Sequence, residues 1–97
     1  MMSQPELIHR FAVNVLPKPG ILDPQGRAVE GSLEHLGIRG VHDVRVGRRV
    51  ELSVAATGRG EALAIVERLA SGLLSNPLIE VYTIEEVGTG SAVPSVS

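Results

Sequence analysis

The sequence contains no cysteine and no tryptophan. Without cysteine there is no disulfide framework, no thiolate nucleophile and no thiolate metal ligand, and a reducing compartment suits the chain. Aromatic residues are nearly missing as well, Phe11 and Tyr82 being the only two, so there is no platform on which bases could stack. Neither sign of charge dominates: nine basic residues stand against eleven acidic ones, for a net charge of −2, which leaves no basic stripe for a polyanion. These absences speak against nucleic acid as a partner. No stretch approaches the roughly 20 apolar residues of a membrane span, and Met1 to Arg10 holds no apolar run of signal-peptide length. A cytoplasmic protein without a membrane contact is expected.

What is present reads as one globular domain. The chain has 97 residues, 43% hydrophobic and 21% charged, which suits a single core burying roughly two-thirds of the unfolded surface. Leu7 to Leu16, "LIHRFAVNVL", places Leu7, Phe11, Val13 and Val15 on one side and Arg10, Ala12 and Asn14 on the other, the period of a strand. From Asp23 the apolar residues Val29, Leu33 and Leu36 recur at helical spacing, and Gly37 stands where a glycine cap ends a helix. Val41 to Val46 and Val50 to Val54 read as a hairpin turning at Gly47. A second helix carries Ala62, Val66, Leu69 and Leu73 on one stripe and stops near Asn76-Pro77, because the residue before proline leaves the α region. Leu78 to Val87 reads as the last strand; residues 1–87 are expected to form the domain and 88–97, "GTGSAVPSVS" from Gly88, a disordered tail.

The order β-α-β-β-α-β predicts an α+β, ferredoxin-like fold, a four-stranded antiparallel sheet with both helices on one face. The uncovered face would then carry Arg10, Asn14, Asp43, Arg45, Glu51, Ser53 and Glu80, interleaved with Ala12 and Tyr82.

No catalytic constellation emerges. His9, His35 and His42 have no companion at metal-ligand spacing and read as polar surface, so no metal site is expected. Glu85-Glu86 are adjacent on a strand and point to opposite faces. Gly58-Arg59-Gly60 lies before a helix but satisfies neither nucleotide-loop pattern, and a turn explains its glycines. Ser32, Ser53 and Ser71 lack a nucleophile context. The chain is therefore expected to have no catalytic residue and to bind no cofactor. Arg45 to Arg49, "RVGRR", is the most basic patch, either a solvated loop that protects an edge or a docking patch for an acidic surface or phosphate.

The stretch Gly20 to Gly26, "GILDPQG", poses a puzzle. Asp23 is a favoured N-cap and Pro24 fits the first helical position, yet Gly26 sits in the first turn, at a cost of about 0.5–1 kcal/mol relative to alanine. A glycine there has no side chain to keep another backbone away, which suits a surface that something docks against.

"VLPKPGILDPQGRAVEGSLEHLG", then "VHDVRVGRRVEL", then "LASGLLSNPLIEVYTIE" together resemble the PurS family, the small subunit of phosphoribosylformylglycinamidine (FGAM) synthase, over Phe11 to Val87. The resemblance implies a non-catalytic accessory subunit of a complex acting in the fourth step of de novo purine biosynthesis. That complex converts formylglycinamide ribonucleotide, ATP and glutamine to formylglycinamidine ribonucleotide, ADP, phosphate and glutamate. It also implies partners: a second copy in a homodimer, a PurL-type synthetase subunit that uses ATP and Mg, and a PurQ-type glutaminase subunit that holds the cysteine nucleophile. The small subunit would bridge the two and support ammonia transfer. Carried onto this sequence, the signature falls on Leu22, Asp23, Gln25 and Gly26, on Asp43 and Arg45, and on Asn76, which become the candidate interface residues. Asp23 as N-cap and Asn76 as helix stop also have local structural readings. The leading "MMSQPELIH" and the Gly/Ser tail depart from shorter members. A reading of another class is a small dimeric ligand-sensing domain of the same fold, with "PKPG" and "TGRG" as its ligand loops.

Overall fold

The computed structural model describes residues 6–90, with the side chains of residues 89 and 90 left aside. The elements are β1 (Leu7–Pro17), α1 (Pro24–Leu33) continued by a 3₁₀ turn (Glu34–Leu36), β2 (Arg48–Ala56), α2 (Arg59–Leu69) widening into a π turn (Ala70–Leu74), and β3 (Glu80–Gly90). Among the described residues three strands form one antiparallel sheet in the order β2-β1-β3, so the first strand is the central one. β3 runs on to Gly90, and the remainder of the expected tail lies outside the described residues, as do residues 1–5.

Period-2 patterning in β1 does what it predicts. Phe11, Val13 and Val15 are almost completely buried and meet Val54 and Ala56 of β2, Ala62 and Val66 of α2 and Ala70 of the π turn in one core. Each such side chain withdrawn from water contributes on the order of 1.5–3 kcal/mol. Leu52, Leu63, Leu74, Tyr82 and Ile84 pack around this cluster. α2 starts at Gly58, with the Thr57 hydroxyl donating to Glu61 Oε2 at 2.8 Å in place of a cap from Gly58 itself. It ends where Ser75 donates both its N–H (3.0 Å) and its hydroxyl (2.6 Å) to the Ala70 carbonyl.

Among the described residues the fourth strand is not there. Residues 41–47 join no ladder and form no hairpin at Gly47. Two left-handed residues, Gly40 (φ 84°) and Asp43 (φ 57°), break the extended conformation. The Val46 N–H that a ladder would use is donated to Asp23 Oδ2 at 2.8 Å. Gly47 serves close approach rather than turning, since a Cβ there would fall far inside van der Waals contact with the Val15 carbonyl. The sheet that forms has β1 at its centre, with the outer edges of β2 and β3 unpaired among the described residues.

The helices also divide unequally. α2 lies over β1 and β2, whereas no residue of α1 belongs to the core. Its apolar stripe is half-buried at Leu33 and exposed at Val29 and Leu36. Gly37, at φ 70°, ends the helix as expected, donating to the Glu34 carbonyl at 3.1 Å.

The open face differs from expectation at four positions. Val15 pairs with Tyr82 and Pro17 with Glu80, which turns both partners toward the helix-bearing side, and Asp43 and Arg45 lie outside the sheet. Arg10, Ala12, Asn14, Glu51 and Ser53 remain on the open face. There Arg49 donates to Glu51 (3.1 Å), Glu85 (2.6 Å) and Asn14 (3.2 Å), a fork spanning three strands. Ala12 lies between Glu51 and Glu85 and is fully buried although it points away from the helices. His9, expected at the surface, is on the core side and buried, its Nε2 3.3 Å from the Ala56 carbonyl. No described helix is long and apolar enough to cross a membrane.

Candidate functional site

The candidate residues gather at one end of the sheet, where β1 runs out and β2 begins. Asp23 organises that end. Its β-region backbone (φ −120°, ψ 92°) lets the carboxylate fold back over the first turn of α1, where Oδ1 accepts the Gly26 N–H at 3.0 Å. Its second oxygen accepts the Val46 N–H. One side chain thus caps a helix and fastens a segment 23 residues further along. These two amides, Val46 first, hold the carboxyl below the usual aspartate range, because an ion that accepts backbone N–H groups is favoured over the neutral acid.

Fastening the segment brings Val44 against α1, and this accounts for Gly26. Any Cβ at that position would overlap the Val44 carbonyl oxygen and come within 2.7 Å of Asp23 Oδ2. The space that Gly26 leaves is occupied by the chain's own backbone, and the residue is buried. Arg45, next along, donates to the Pro17 carbonyl at 2.8 Å and so pins the same segment to the end of β1.

Leu22, Asp23, Asp43 and Arg45 line a cavity of about 520 Å³ with Lys18 and Arg27. Across the Gly20–Asp23 loop, Leu22, Asp23 and Gln25 line a second cavity of about 640 Å³ with Gly47, Ile79 and Glu80. Leu22 is 67% exposed and borders both hollows, and Gln25 is exposed beside it. The fold therefore brings together six of the seven candidates, Gly26 through its contact with Val44. Asn76 is set apart as a turn residue: its Oδ1 accepts the Leu78 N–H at 3.2 Å, and its carbonyl accepts from Ile79 (3.0 Å) and Glu80 (2.8 Å).

A member of the basic run Arg45 to Arg49, whose pairing with Glu80 only the fold reveals, completes this end. Arg48 pairs with both oxygens of Glu80, at 2.7 and 2.9 Å, and donates to the Leu74 carbonyl at 2.5 Å. Glu80 Oε1 also accepts the Asn76 N–H at 2.7 Å. The clasp joins β2, the end of α2 and the start of β3. The Arg48 guanidinium, with the Asn76 amide second, lowers the Glu80 carboxyl to about 2. Only the charge pattern Arg48…Glu80 hinted at it.

Among the described residues no group of three His, Asp or Glu side chains converges on a metal position. Two hollows flank an exposed leucine, with Lys18 and Arg27 forming no ion pair among the described residues.

The chain is similar to known proteins over most of its length. A family model described as "PurS: Phosphoribosylformylglycinamidine (FGAM) synthase" matches residues 10–88. The chain is 44% identical over 75 residues to the phosphoribosylformylglycinamidine synthase subunit PurS of Mycobacterium leprae, an alignment covering 77% of this chain and 91% of that one. In structure it is similar to the PurS subunit from Thermotoga maritima, with a TM-score of 0.76 at 32% identity, covering 82% and 92% of the two chains. It is similar as well to a chain in the structure of PurLQS from Thermotoga maritima, with a TM-score of 0.75 at 30% identity, covering 82% and 98%.

Proposed function

The chain belongs to the PurS family of FGAM synthase, and on that premise we propose that it bridges a PurL-type synthetase and a PurQ-type glutaminase and supports ammonia transfer between them. It is a subunit of FGAM synthase, an enzyme complex of purine biosynthesis, in which its own part is accessory. The observation that carries the bridging role is the likeness to a chain of PurLQS over 82% of this sequence.

The geometry supports this reading. A bridging subunit needs a shaped, pre-organised surface, and rigidity at such a surface lowers the ordering cost of association. Asp23 and the Arg48–Glu80 clasp supply that rigidity around Leu22, Gln25, Asp43 and Arg45. ATP and Mg are used on the synthetase, glutamine is hydrolysed on the glutaminase, and this chain binds no cofactor. It works in the cytoplasm as a homodimer.

Reconstitution tests the assignment. Purified synthetase and glutaminase should make little glutamine-dependent product until this chain is added, while ammonia-dependent synthesis by the synthetase should respond less. Equal glutamine-dependent activity without the chain would overturn the accessory role.

A further inference from the structure

The cavity of about 520 Å³ beside the Gly20–Asp23 loop is lined by charges that the fold does not use. Three basic and three acidic residues line it. Two are committed, Asp23 to the Gly26 and Val46 amides and Arg45 to the Pro17 carbonyl. The other four, Lys18, Arg27, Glu30 and Asp43, make no ion pair and no side-chain hydrogen bond among the described residues.

The chemistry of these four groups selects among ligands. A phosphate held by Lys18 and Arg27 would lie against Glu30 and Asp43 as well, and like charge at that range opposes what the cations contribute. A nucleobase would find no aromatic surface, since Phe11 and Tyr82 belong to the core and its margin and neither lines the hollow. A molecule that carries both signs on neighbouring atoms meets all four groups. Arg27 and Glu30 stand one turn apart on one face of α1, with about 5–6 Å between their Cβ atoms, so opposite charges are presented side by side. Ile21, Leu22 and Val44 add an apolar wall.

We propose that this cavity binds a free α-amino acid, with the carboxylate against Lys18 and Arg27, the ammonium against Glu30 and Asp43, and the side chain along the apolar wall. A guanidinium is the fork that matches a carboxylate, and an ammonium beside a carboxylate makes a charge-assisted hydrogen bond. The volume lies within the roughly 300–1,000 Å³ of small-molecule sites. The frame is set before any ligand arrives: the Lys18 N–H donates to the Ile79 carbonyl at 2.8 Å, the Ile21 N–H to the Lys18 carbonyl at 3.1 Å, and Asp23 holds Val46. Such preorganisation lowers the cost of binding. The site belongs to the single chain and does not depend on the bridging role.

The test is a titration of the isotopically labelled full chain, followed by amide NMR, with each of the common amino acids and with inorganic phosphate. At about 10 mM, or at its solubility limit, each probe fills most of a site whose dissociation constant is about 1 mM. At least one amino acid should move the amides of Lys18, Gly20 to Asp23 and Val44 saturably. Its N-acetyl and carboxamide derivatives, each missing one charge, should bind at least 10-fold more weakly. Arg27→Gln and Asp43→Asn should each weaken the binding at least 10-fold; asparagine tolerates the left-handed backbone of Asp43 (φ 57°), and the same spectra verify the fold. Glu67→Gln, exposed on α2 and away from the cavity, should leave the binding unchanged. The proposal is overturned if no amino acid moves these amides, if a derivative binds as tightly as its parent, if both cavity variants bind as the wild type does, or if phosphate alone binds.

Discussion

Two glycines in one helix should respond to alanine with opposite sign. Gly31 has open space around its missing side chain and ordinary helical backbone, so Gly31→Ala should gain the intrinsic difference in helix propensity, about 0.5–1 kcal/mol. Gly26→Ala gains the same amount locally but places a methyl group into the Val44 carbonyl and 2.7 Å from Asp23 Oδ2. Overfilling a tight contact costs about 1–3 kcal/mol. The neighbour here is backbone, held in place by the Val46–Asp23 hydrogen bond, and it yields only by loosening that bond. The net expectation is destabilisation by about 1 kcal/mol, and the difference between the two variants, in which propensity cancels, isolates the overlap at about 1–3 kcal/mol. Urea unfolding at one fixed protein concentration reads both as shifts in midpoint at unchanged slope. In a thermal melt the pair should separate by several degrees, since 1 kcal/mol corresponds to about 4–8 °C in a domain of 60–100 residues. If Gly26→Ala stabilises as much as Gly31→Ala, the approach of Val44 does not explain the glycine.

The Arg48–Glu80 clasp makes stability depend on acid. The Glu80 carboxyl is depressed from its ordinary 4.5 to about 2 in the folded chain, so its contribution is full above about pH 4.5 and is lost as pH falls toward 2. Glu80→Gln should flatten the acid limb of a stability–pH curve over that window, and an unchanged limb would remove the clasp from the account. Phe11, 1% exposed at the centre of the core, should cost about 3–5 kcal/mol on truncation to alanine. That is a large share of the 5–15 kcal/mol typical of a domain, and calorimetry should show a much lowered or absent transition. Gln25→Ala with Arg45→Glu should weaken co-elution with the synthetase and glutaminase without changing the far-ultraviolet spectrum; undiminished co-elution would exclude both side chains from the contact.

Much of this structure was legible in the residues, and what was not has a common cause. β1 and the start of α2 could be read because their patterns are decided by near neighbours: Phe11, Val13 and Val15 alternate, and Ala62 and Val66 hold the expected stripe, whereas past the π turn Ala70 is buried and Leu73, expected on the stripe, is 75% exposed. Val41 to Val46 carries the same β-rich composition as a strand, but its fate depends on where the Val46 N–H goes, and the competing acceptor is Asp23, far back in the sequence. Facing was ambiguous in β3 because Ile79 and Val81 share one parity and Tyr82 and Ile84 the other; only the pairing with Val15 and Val13 chooses between them. His9 keeps the parity of the core, so its burial was available from β1 alone. At the candidate site the grouping of Leu22, Asp23, Asp43 and Arg45 came from family resemblance, whereas the double use of Asp23 needed the fold.

The strand order has a consequence in time. β1, the earliest described element to be synthesised, is the central strand, and its second neighbour, β3, is the latest, with Ile8 paired to Gly90 across nearly the whole described chain. At roughly 5–20 residues per second, several seconds pass during which Phe11, Val13 and Val15 have emerged without the strand that will flank them on one side. Pairings so distant in sequence form slowly, because the entropy of closing a long loop must be overcome before contacts compensate for it. Handling of this chain by the cell's folding machinery should therefore be concentrated in the interval before β3 emerges, and a truncation that removes β3 should yield aggregate rather than a smaller folded protein.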